Sequence, residues 1–267
     1  MKTKLGPEGH PISEDKAKEL LSGDLANVYR NILRDCCVPI FWYQRDVKNP
    51  EILHNGTLTL MRTPNLILGL TAAHVLRAYQ KDCKNKNISL QLFNEVTDNL
   101  MDNLIDISDK YDLATIAIDQ ELIRRLGKTI TPLEGWPPKP PQEGRGIMIA
   151  GYPGIERLHT NGFNVDFGLF TAIVIARTVT ETQITWLLEP EHQLENAKIK
   201  PPPPFYNLGG VSGGPLISWF ETESFVSHFC LSGIVTEHPD YEKNDFAIER
   251  LVAIRADLIS DNGTISH

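Results

Sequence analysis

Three short segments of this chain of 267 residues hold side chains that could together perform nucleophilic catalysis. His74 follows a strand-like apolar run, Asp112 precedes another, and Ser212 stands in a glycine-rich loop. A serine hydroxyl is a weak nucleophile, and a histidine can remove its proton at neutral pH and return it to a leaving amine. A carboxylate on the second ring nitrogen fixes the tautomer and stabilises the imidazolium that forms. The order His, Asp, Ser therefore offers a base, an orienting acid and a nucleophile.

The glycines beside Ser212 answer a separate chemical need. When a nucleophile attacks a carbonyl group, negative charge develops on the carbonyl oxygen, and backbone N–H groups that point at this oxygen lower the barrier. Such N–H groups require a tight turn with no side chain in the way. Gly210, Gly213 and Gly214 flank Ser212, which is typical of such a loop.

Each of these residues also has an ordinary interpretation. A single histidine at a strand end is more often structural, and an aspartate before a strand is more often a turn residue. The glycine-rich loop could cradle a phosphate, but it lacks the lysine of a P-loop and leads through Pro215 into a strand-like run rather than a helix. Asp109 competes for the role of the acid, and the apolar run that starts at Leu113 favours Asp112. The joint order and spacing of the three segments favour catalysis.

Short β-type runs must position these residues. Many short strands with few helices predict an all-β protein, either a barrel or a sandwich. Half of the 18 prolines lie in the segments 132–141 and 201–204, which predict an extended linker and a stiff approach to the glycine-rich loop. The predicted strands are 38–43, 56–61, 66–71, 88–93, 113–118, 146–150, 170–175, 183–188, 215–219, 225–235 and 246–248.

The N-terminal part has a different pattern. Residues 1–12 show no periodicity and are predicted to be a loose tail, whereas helical spacing follows Ser13 and continues from Asp24 to Cys36. This helix either packs on the outside of a core or docks a regulatory partner. The division of the chain is then 1–36 (N-terminal tail and helical extension), 38–127 (first β unit), 128–143 (linker), 144–256 (second β unit) and 257–267 (C-terminal tail).

Composition and charge exclude several classes of protein. The net charge is −8 and the sequence has no long basic run, which argues against nucleic acid or an anionic membrane as a partner. We find no signal peptide and no apolar stretch of membrane-spanning length. The four cysteines fit neither a disulfide framework nor a zinc site, and the eight histidines are scattered. These features predict a cytoplasmic protein with reduced thiols and with no metal or cofactor.

The three segments resemble the signatures of the chymotrypsin-like (trypsin-fold) serine peptidases, in the same order. They read Thr71-Ala72-Ala73-His74, Asp112-Leu113-Ala114 and Gly210-Val211-Ser212-Gly213-Gly214-Pro215. Two further segments are similar to bacterial, HtrA-like members and to the strand that lines their substrate cleft: Ala150-Gly151-Tyr152-Pro153-Gly154 and Ser232-Gly233-Ile234-Val235-Thr236. The resemblance covers about residues 38–256. It implies two six-stranded antiparallel β-barrels within a peptidase domain of 37–256, with the active site between the barrels.

The resemblance also implies a role for each matching residue. His74 is the general base and acid, Asp112 is its orienting carboxylate, and Ser212 is the nucleophile that becomes acylated. The backbone N–H groups of Gly210 and Ser212 form the oxyanion hole. Tyr206 stands where members that cleave after Lys or Arg carry an acid, so that specificity is not supported and the preferred residue stays open. The predicted substrate-binding residues are Tyr206, Thr236, Glu237 and His238.

The sequence departs from the family at one position beside the nucleophile. Digestive and clotting members carry an aspartate there, which a new N-terminus engages on activation, and this chain has Val211. We also expect none of the family's disulfides and no following PDZ-like domain. We therefore expect a bacterial serine endopeptidase that acts on protein or peptide substrates, with residues 1–36 as the contact surface for a regulatory partner. The alternative is a catalytically silent binding module with the same fold.

Overall fold

The computed structural model describes residues 10–11, 15, 19, 22–23, 25–45, 52–84, 87–128, 130, 136–161, 164–187, 206–221, 227–236 and 250–266. They form a mostly antiparallel β protein with few helices, in which the sheets include a curled half-barrel. The predicted all-β class is confirmed. The helices are α1 (Leu25–Asp35), α2 (Ala73–Cys83) and α3 (Gln120–Arg125).

The strands fall into two halves along the chain. In the first half they are β1 (His10–Pro11), β2 (Cys37–Gln44), β3 (Ile52–Arg62), β4 (Ile67–Thr71), β5 (Ile88–Leu92), β6 (Glu95–Val96), β7 (Leu104–Ser108) and β8 (Leu113–Ile118). In the second half they are β9 (Gly146–Gly151), β10 (Arg157–Asn161), β11 (Asn164–Phe167), β12 (Phe170–Ile175), β13 (Thr178–Val179), β14 (Gln183–Leu187), β15 (Pro215–Glu221), β16 (Ser227–Thr236) and β17 (Arg250–Arg255).

The first sheet has seven strands in the order β6-β5-β2-β3-β4-β8-β7. Strand β4 pairs antiparallel with β8, and Thr71 at the end of β4 lies opposite Ala114 near the start of β8. This register brings the residues that follow β4 beside those that precede β8. His74 and Asp112 occupy these two places.

The second sheet has eight strands in the order β12-β9-β15-β16-β17-β14-β13, with β1 paired to β15. Leu216 of β15 lies opposite Ile149 of β9, so the loop that precedes β15 lies beside the segment that follows β9. That loop carries Ser212. Each of the two sheets has six strands longer than two residues, because β1, β6 and β13 are two-residue strands.

Three buried clusters hold the molecule together. One lies within the first sheet around Trp42 and Leu58, and another lies within the second sheet around Trp186 and Ile149. The third joins the two halves, since it combines Leu70 and other residues of the first sheet with residues of the second. Burial of such side chains contributes about 1.5–3 kcal/mol each. The two sheets therefore share one core and form one body.

Helix α1 belongs to the shared core. Its ring of Tyr29 packs on Trp219 and Phe229 of the second sheet, with ring centroids 4.5 and 5.6 Å apart, and Leu33 is buried one turn later. Val28 on the other face is 49% exposed. These contacts support the simpler interpretation of the helix as packed on the core. Most of the helix predicted after Ser13 lies outside the described residues.

Both chain ends make contacts that the sequence did not predict. The loose tail predicted for residues 1–12 includes His10–Pro11, which instead pair with the end of β15. After β17 the chain crosses to the first sheet. There the Thr115 hydroxyl donates to the carbonyl oxygen of Gly263 (2.6 Å), and the N–H of Ile265 donates to the Asp106 carboxylate (2.8 Å). The C-terminal segment is thus hydrogen-bonded to the first sheet.

Several element predictions agree with the structure and others do not. The strands at 113–118 and 170–175 have their predicted bounds. Helix α2 was not predicted, because Ala72 at its N-cap provides no side-chain hydrogen bond and hence no start signal. Strand β17 was also missed, while the strand predicted at 246–248 and the polyproline segment 201–204 lie outside the described residues.

Candidate active site

His74 and Asp112 form a closely coupled pair. One carboxylate oxygen of Asp112 lies 2.7 Å from Nδ1 of His74. The other accepts a hydrogen bond of 2.8 Å from the backbone N–H of His74. The carboxylate therefore orients both the ring and the backbone of His74. A carboxylate at Nδ1 favours the tautomer with the proton on that nitrogen, which leaves Nε2 as the basic atom.

The local backbone explains how this pair forms. Helix α2 begins directly after β4, so His74 lies in its first turn next to the start of β8. Asp112 adopts φ 48°, in the left-handed region that few residues other than glycine enter. This conformation costs on the order of 1–3 kcal/mol, and such residues cluster at functional sites. The turn aims the Asp112 side chain back at His74.

Asp109, the competing acid, has a different partner. Its two carboxylate oxygens accept hydrogen bonds from Nε and an Nη of Arg77 on α2, both at 3.1 Å. The pair is exposed, and an exposed ion pair of this kind contributes little to stability. Asp112 is therefore the carboxylate that the structure brings to His74.

Ser212 lies in a loop whose peptide groups are hydrogen-bonded to several neighbouring segments. Ser212 is buried, and its carbonyl oxygen accepts a hydrogen bond of 2.9 Å from the N–H of Thr57 on β3. The N–H groups around it also have acceptors. These bonds run from Gly209 to the Asn207 side chain (2.8 Å), from Val211 to Leu208 (2.9 Å), from Gly213 to Val235 (2.7 Å) and from Gly214 to Val211 (2.8 Å).

Within residues 209–214, two N–H groups have no acceptor among the described residues, and they belong to Gly210 and Ser212. Their directions are nevertheless set. In a trans peptide the C=O and N–H bonds point in opposite directions. The carbonyl oxygen of Gly209 accepts from Gly154 N–H and that of Val211 accepts from Gly214 N–H, each at 2.8 Å. Each accepted carbonyl therefore turns the N–H of its own peptide group away from the acceptor side of the loop.

Glycine is required at two positions of this loop. Gly210 has φ 104° and Gly213 has φ 91°, both in the region that favours glycine. A Cβ atom at Gly210 would lie 2.2 Å from Nδ2 of Asn55, and one at Gly213 would lie 1.9 Å from the carbonyl oxygen of Thr57. The loop can approach β3 this closely only without side chains at these positions.

Val211 holds the loop from its other side by packing. The side chain is buried in the core of the second sheet, in the same cluster as Ile149 and Leu216. A Cβ atom at Gly151 would lie 2.7 Å from the Val211 side chain, so the glycine makes room for it. An apolar contact thus anchors the loop at Val211.

The loop also lies against the end of β4, from which His74 follows. The Thr71 hydroxyl donates to the carbonyl oxygen of Thr57 at 2.7 Å, and a Cβ atom at Gly213 would lie 2.3 Å from the same hydroxyl. Thr71 lies three positions before His74, with Ala72 and Ala73 between them. The structure therefore brings the Ser212 loop and the His74–Asp112 pair to adjoining ends of the two sheets.

The predicted substrate-binding residues are placed less completely. The Tyr206 hydroxyl donates to the Glu156 carboxylate at 2.6 Å, and its ring stacks on Phe170 with centroids 5.9 Å apart. Burial, and then this hydrogen bond, raise the pKa of Tyr206 above its usual range. Thr236 is buried at the end of β16 opposite Val252. Two of the four predicted residues, Glu237 and His238, lie outside the described residues.

Thr57 and Asn55 contact the serine loop and were not singled out from the sequence. Nδ2 of Asn55 donates to the carbonyl oxygen of Tyr152 at 2.9 Å, beside Gly210. The Thr57 hydroxyl and that of Thr59 donate to loop carbonyl oxygens at 2.8 and 2.7 Å. A signal was present, because two threonines at alternate positions of an apolar strand place hydroxyls on one face.

Other classes of site find no support within the described ranges. No group of three or more His, Cys, Asp and Glu side chains there could hold a metal ion. None of the helices that the structure describes is long and apolar enough to cross a membrane. No protein-family model matches the chain, and no curated protein matches it.

Proposed function

We propose that this chain is a serine endopeptidase of the trypsin-like fold. The observation that carries the proposal is the segment 209–214 around Ser212, in which only the N–H groups of Gly210 and Ser212 lack an acceptor among the described residues. Two oriented donors beside a serine are what a developing oxyanion needs. Two antiparallel sheets, with a His–Asp pair on one and this loop on the other, support the same fold.

In the proposed acylation step, Nε2 of His74 takes the proton from the Ser212 hydroxyl while Oγ attacks the carbonyl carbon of the substrate. Asp112 stabilises the imidazolium that forms, through its contact with Nδ1. The N–H groups of Gly210 and Ser212 bind the oxyanion. His74 then gives the proton to the departing amine, and the C–N bond breaks to leave an ester on Ser212.

In the proposed deacylation step, water takes the place of the amine. His74 removes a proton from the water as its oxygen attacks the ester carbonyl carbon, and the same two N–H groups bind the oxyanion. The proton returns to Oγ of Ser212 as the acid product leaves. Both steps thus use one hole and one base.

The proposed substrate is a peptide or protein, and the test reads cleavage directly. The wild type and the Ser212→Ala variant are incubated with a proteome-derived peptide library, and new termini are identified by mass spectrometry. We expect internal cleavage by the wild type with a recurring residue preference, and none by the variant. Equal sets of termini in both samples, or no new termini, would contradict the proposal.

A catalytically silent binding module is the second candidate, and one observation favours it. The Ser212 hydroxyl makes no hydrogen bond to any residue that the structure describes. Catalytic hydrogen bonds of free enzymes are often long and tighten when substrate binds. Labelling of Ser212 by a fluorophosphonate probe separates the two candidates, because only an activated serine reacts with it.

A regulatory partner that binds through residues 1–36 is part of the proposal. Helix α1 carries Tyr29 and Leu33 of the shared core, so removal of the whole extension would damage the fold. Deletion of residues 1–23 removes the short strand β1 but leaves α1 in place, so it disturbs the shared core less. An unchanged rate of cleavage and an unchanged oligomeric state in cell extract would remove the regulatory role.

A further inference from the structure

Thr57 is fully buried, and every polar atom of this residue is used at the border between the two sheets. Its N–H donates to the carbonyl oxygen of Ser212 (2.9 Å), and its own carbonyl oxygen accepts from the Thr71 hydroxyl (2.7 Å). Its hydroxyl donates to the carbonyl oxygen of Gly210 (2.8 Å) and accepts from the N–H of Tyr152 (2.9 Å). One side chain thus ties β3 to two segments of the second half.

The peptide group that the Thr57 hydroxyl holds lies between the two proposed oxyanion donors. It joins Gly210 to Val211. Its N–H bonds to Leu208 within the loop itself, whereas its carbonyl oxygen is held from the other sheet by Thr57. A rotation of this peptide group would change the angle between the N–H groups of Gly210 and Ser212. The contact from the first sheet therefore bears on the geometry of the hole.

We propose that Thr57 is a positioning residue whose hydroxyl keeps the two N–H groups aimed at one point. This inference rests on the proposed function, since it assigns a part of the same reaction. Val211 anchors the loop by apolar packing, and the Thr57 hydroxyl provides a polar anchor one peptide group earlier. Thr57 makes no hydrogen bond to the proposed nucleophile's hydroxyl or to His74, so we expect its effect to pass through the backbone.

The variants for the test keep size and change the hydroxyl. Thr57→Val has nearly the same shape without the hydroxyl, and Thr57→Ser keeps the hydroxyl without the methyl group. The matched control is Thr115→Val. The Thr115 hydroxyl is also buried and also donates to a glycine carbonyl oxygen, that of Gly263. This hydrogen bond joins β8 to the C-terminal segment and lies outside the serine loop. The control measures the general effect of losing one buried hydrogen bond of this kind.

The measurement is the acylation of Ser212 by p-nitrophenyl acetate and by a fluorophosphonate probe. We expect Thr57→Val to lower the maximal acylation rate by roughly 10- to 100-fold, less than the loss of a whole oxyanion donor, with little change in the half-saturating ester concentration. Thr57→Ser and Thr115→Val should stay within about threefold of the wild type. The midpoint of the pH–rate curve should not move, because Thr57 does not contact His74.

The outcomes separate this inference from the proposed function. A wild type that is not acylated at Ser212 would overturn both. A wild type that is acylated, together with a Thr57→Val rate within threefold of it, would overturn the role of Thr57 alone, as would an equal loss in Thr115→Val. If Thr57→Val does not yield folded protein by circular dichroism, Thr57→Ala replaces it, with the same expected direction and the same overturning result.

Discussion

The two sheets present their candidate catalytic groups in different ways. In the first sheet, His74 and Asp112 have partly exposed side chains, and the Asp112 carboxylate contacts both the ring Nδ1 and the backbone N–H of His74 at the start of a helix. In the second sheet, Ser212 is buried in a loop whose backbone is fixed by neighbours on several sides. The acid–base half depends on side-chain chemistry, and the nucleophile half depends on backbone geometry.

This difference predicts where a substitution can change the chemistry without changing the stability of the fold. A polar substitution at the exposed pair should change the chemistry with little effect on folding. A substitution in the serine loop should change both, because the loop contacts β3, β9 and the core of the second sheet. Four predictions test this contrast.

The largest effect is expected from Asp112→Asn in the first sheet. The amide keeps the size of the carboxylate but loses the charge that orients and stabilises the His74 ring, so the turnover number should fall by about 10⁴-fold. That loss corresponds to about 5.5 kcal/mol in the activation free energy. Peptide hydrolysis measures the rate and urea denaturation measures the stability, which should change little. Asp109→Asn is the control, with an expected rate within about twofold of the wild type.

Gly213→Ala should affect the serine loop through its backbone. The added Cβ would lie 1.9 Å from the carbonyl oxygen of Thr57, at a residue with φ 91°. Strain and overpacking together should lower the free energy of unfolding by about 2–5 kcal/mol. Gly127→Ala is the control, because Gly127 also has positive φ but nothing lies within 4 Å of its Cβ position. Its cost should be about 1 kcal/mol, and equal costs in urea denaturation would contradict the close-packing argument.

Val211→Asp should show that the loop is anchored by apolar packing. The carboxylate would be buried in the core of the second sheet, which should lower the free energy of unfolding by about 3 kcal/mol at pH 7. Burial raises the pKa of such a carboxyl group, so the loss should shrink as the pH falls and the group is protonated. Val28→Asp on the exposed face of α1 is the control, expected within about 0.5 kcal/mol. A tolerated Val211→Asp would show that the loop finds a charged partner.

The smallest effect concerns the buried thiols at alkaline pH. Burial raises the pKa of the Cys230 thiol, and a hydrogen bond with Cys37 together with burial raises the pKa of Cys36. The unfolded chain therefore loses these protons first. Stability is fully present below the unfolded thiol pKa, about 8.5, and should decline as the pH rises above it. Urea denaturation of reduced protein between pH 7 and 10 should show a shallower decline in Cys230→Ala, whereas exposed Cys83→Ser should match the wild type.

The fold was predictable where local signals were strong. The apolar run Leu113–Ile118 is bounded by Asp112 and Asp119, and its strand bounds were predicted correctly. Helix α2 has no capping side chain at Ala72, and the C-terminal segment reaches its partner Thr115 across 148 residues of sequence. Patterns of neighbouring residues do not contain contacts of this range.

The candidate site was predictable from residue types but its supports were not. His74, Asp112 and Ser212 stand out because only a few side chains can act as base, acid and nucleophile. The Thr57 hydroxyl acts on a carbonyl oxygen 153 positions away, and Gly154 contributes only a backbone N–H. No residue type signals a backbone contact, so the orientation of the N–H groups of Gly210 and Ser212 had to come from the structure.

Labelling by a fluorophosphonate probe is the most direct test of whether Ser212 is an activated nucleophile. The probe reacts only with a serine that is activated as a nucleophile, and peptide mass spectrometry locates the adduct. We predict that the wild type is labelled at Ser212, that Ser212→Ala is not labelled, and that His74→Ala is labelled at least about 10³-fold more slowly. An unlabelled Ser212 in the folded wild type, or equal labelling in His74→Ala, would contradict the proposed serine endopeptidase and favour a binding module.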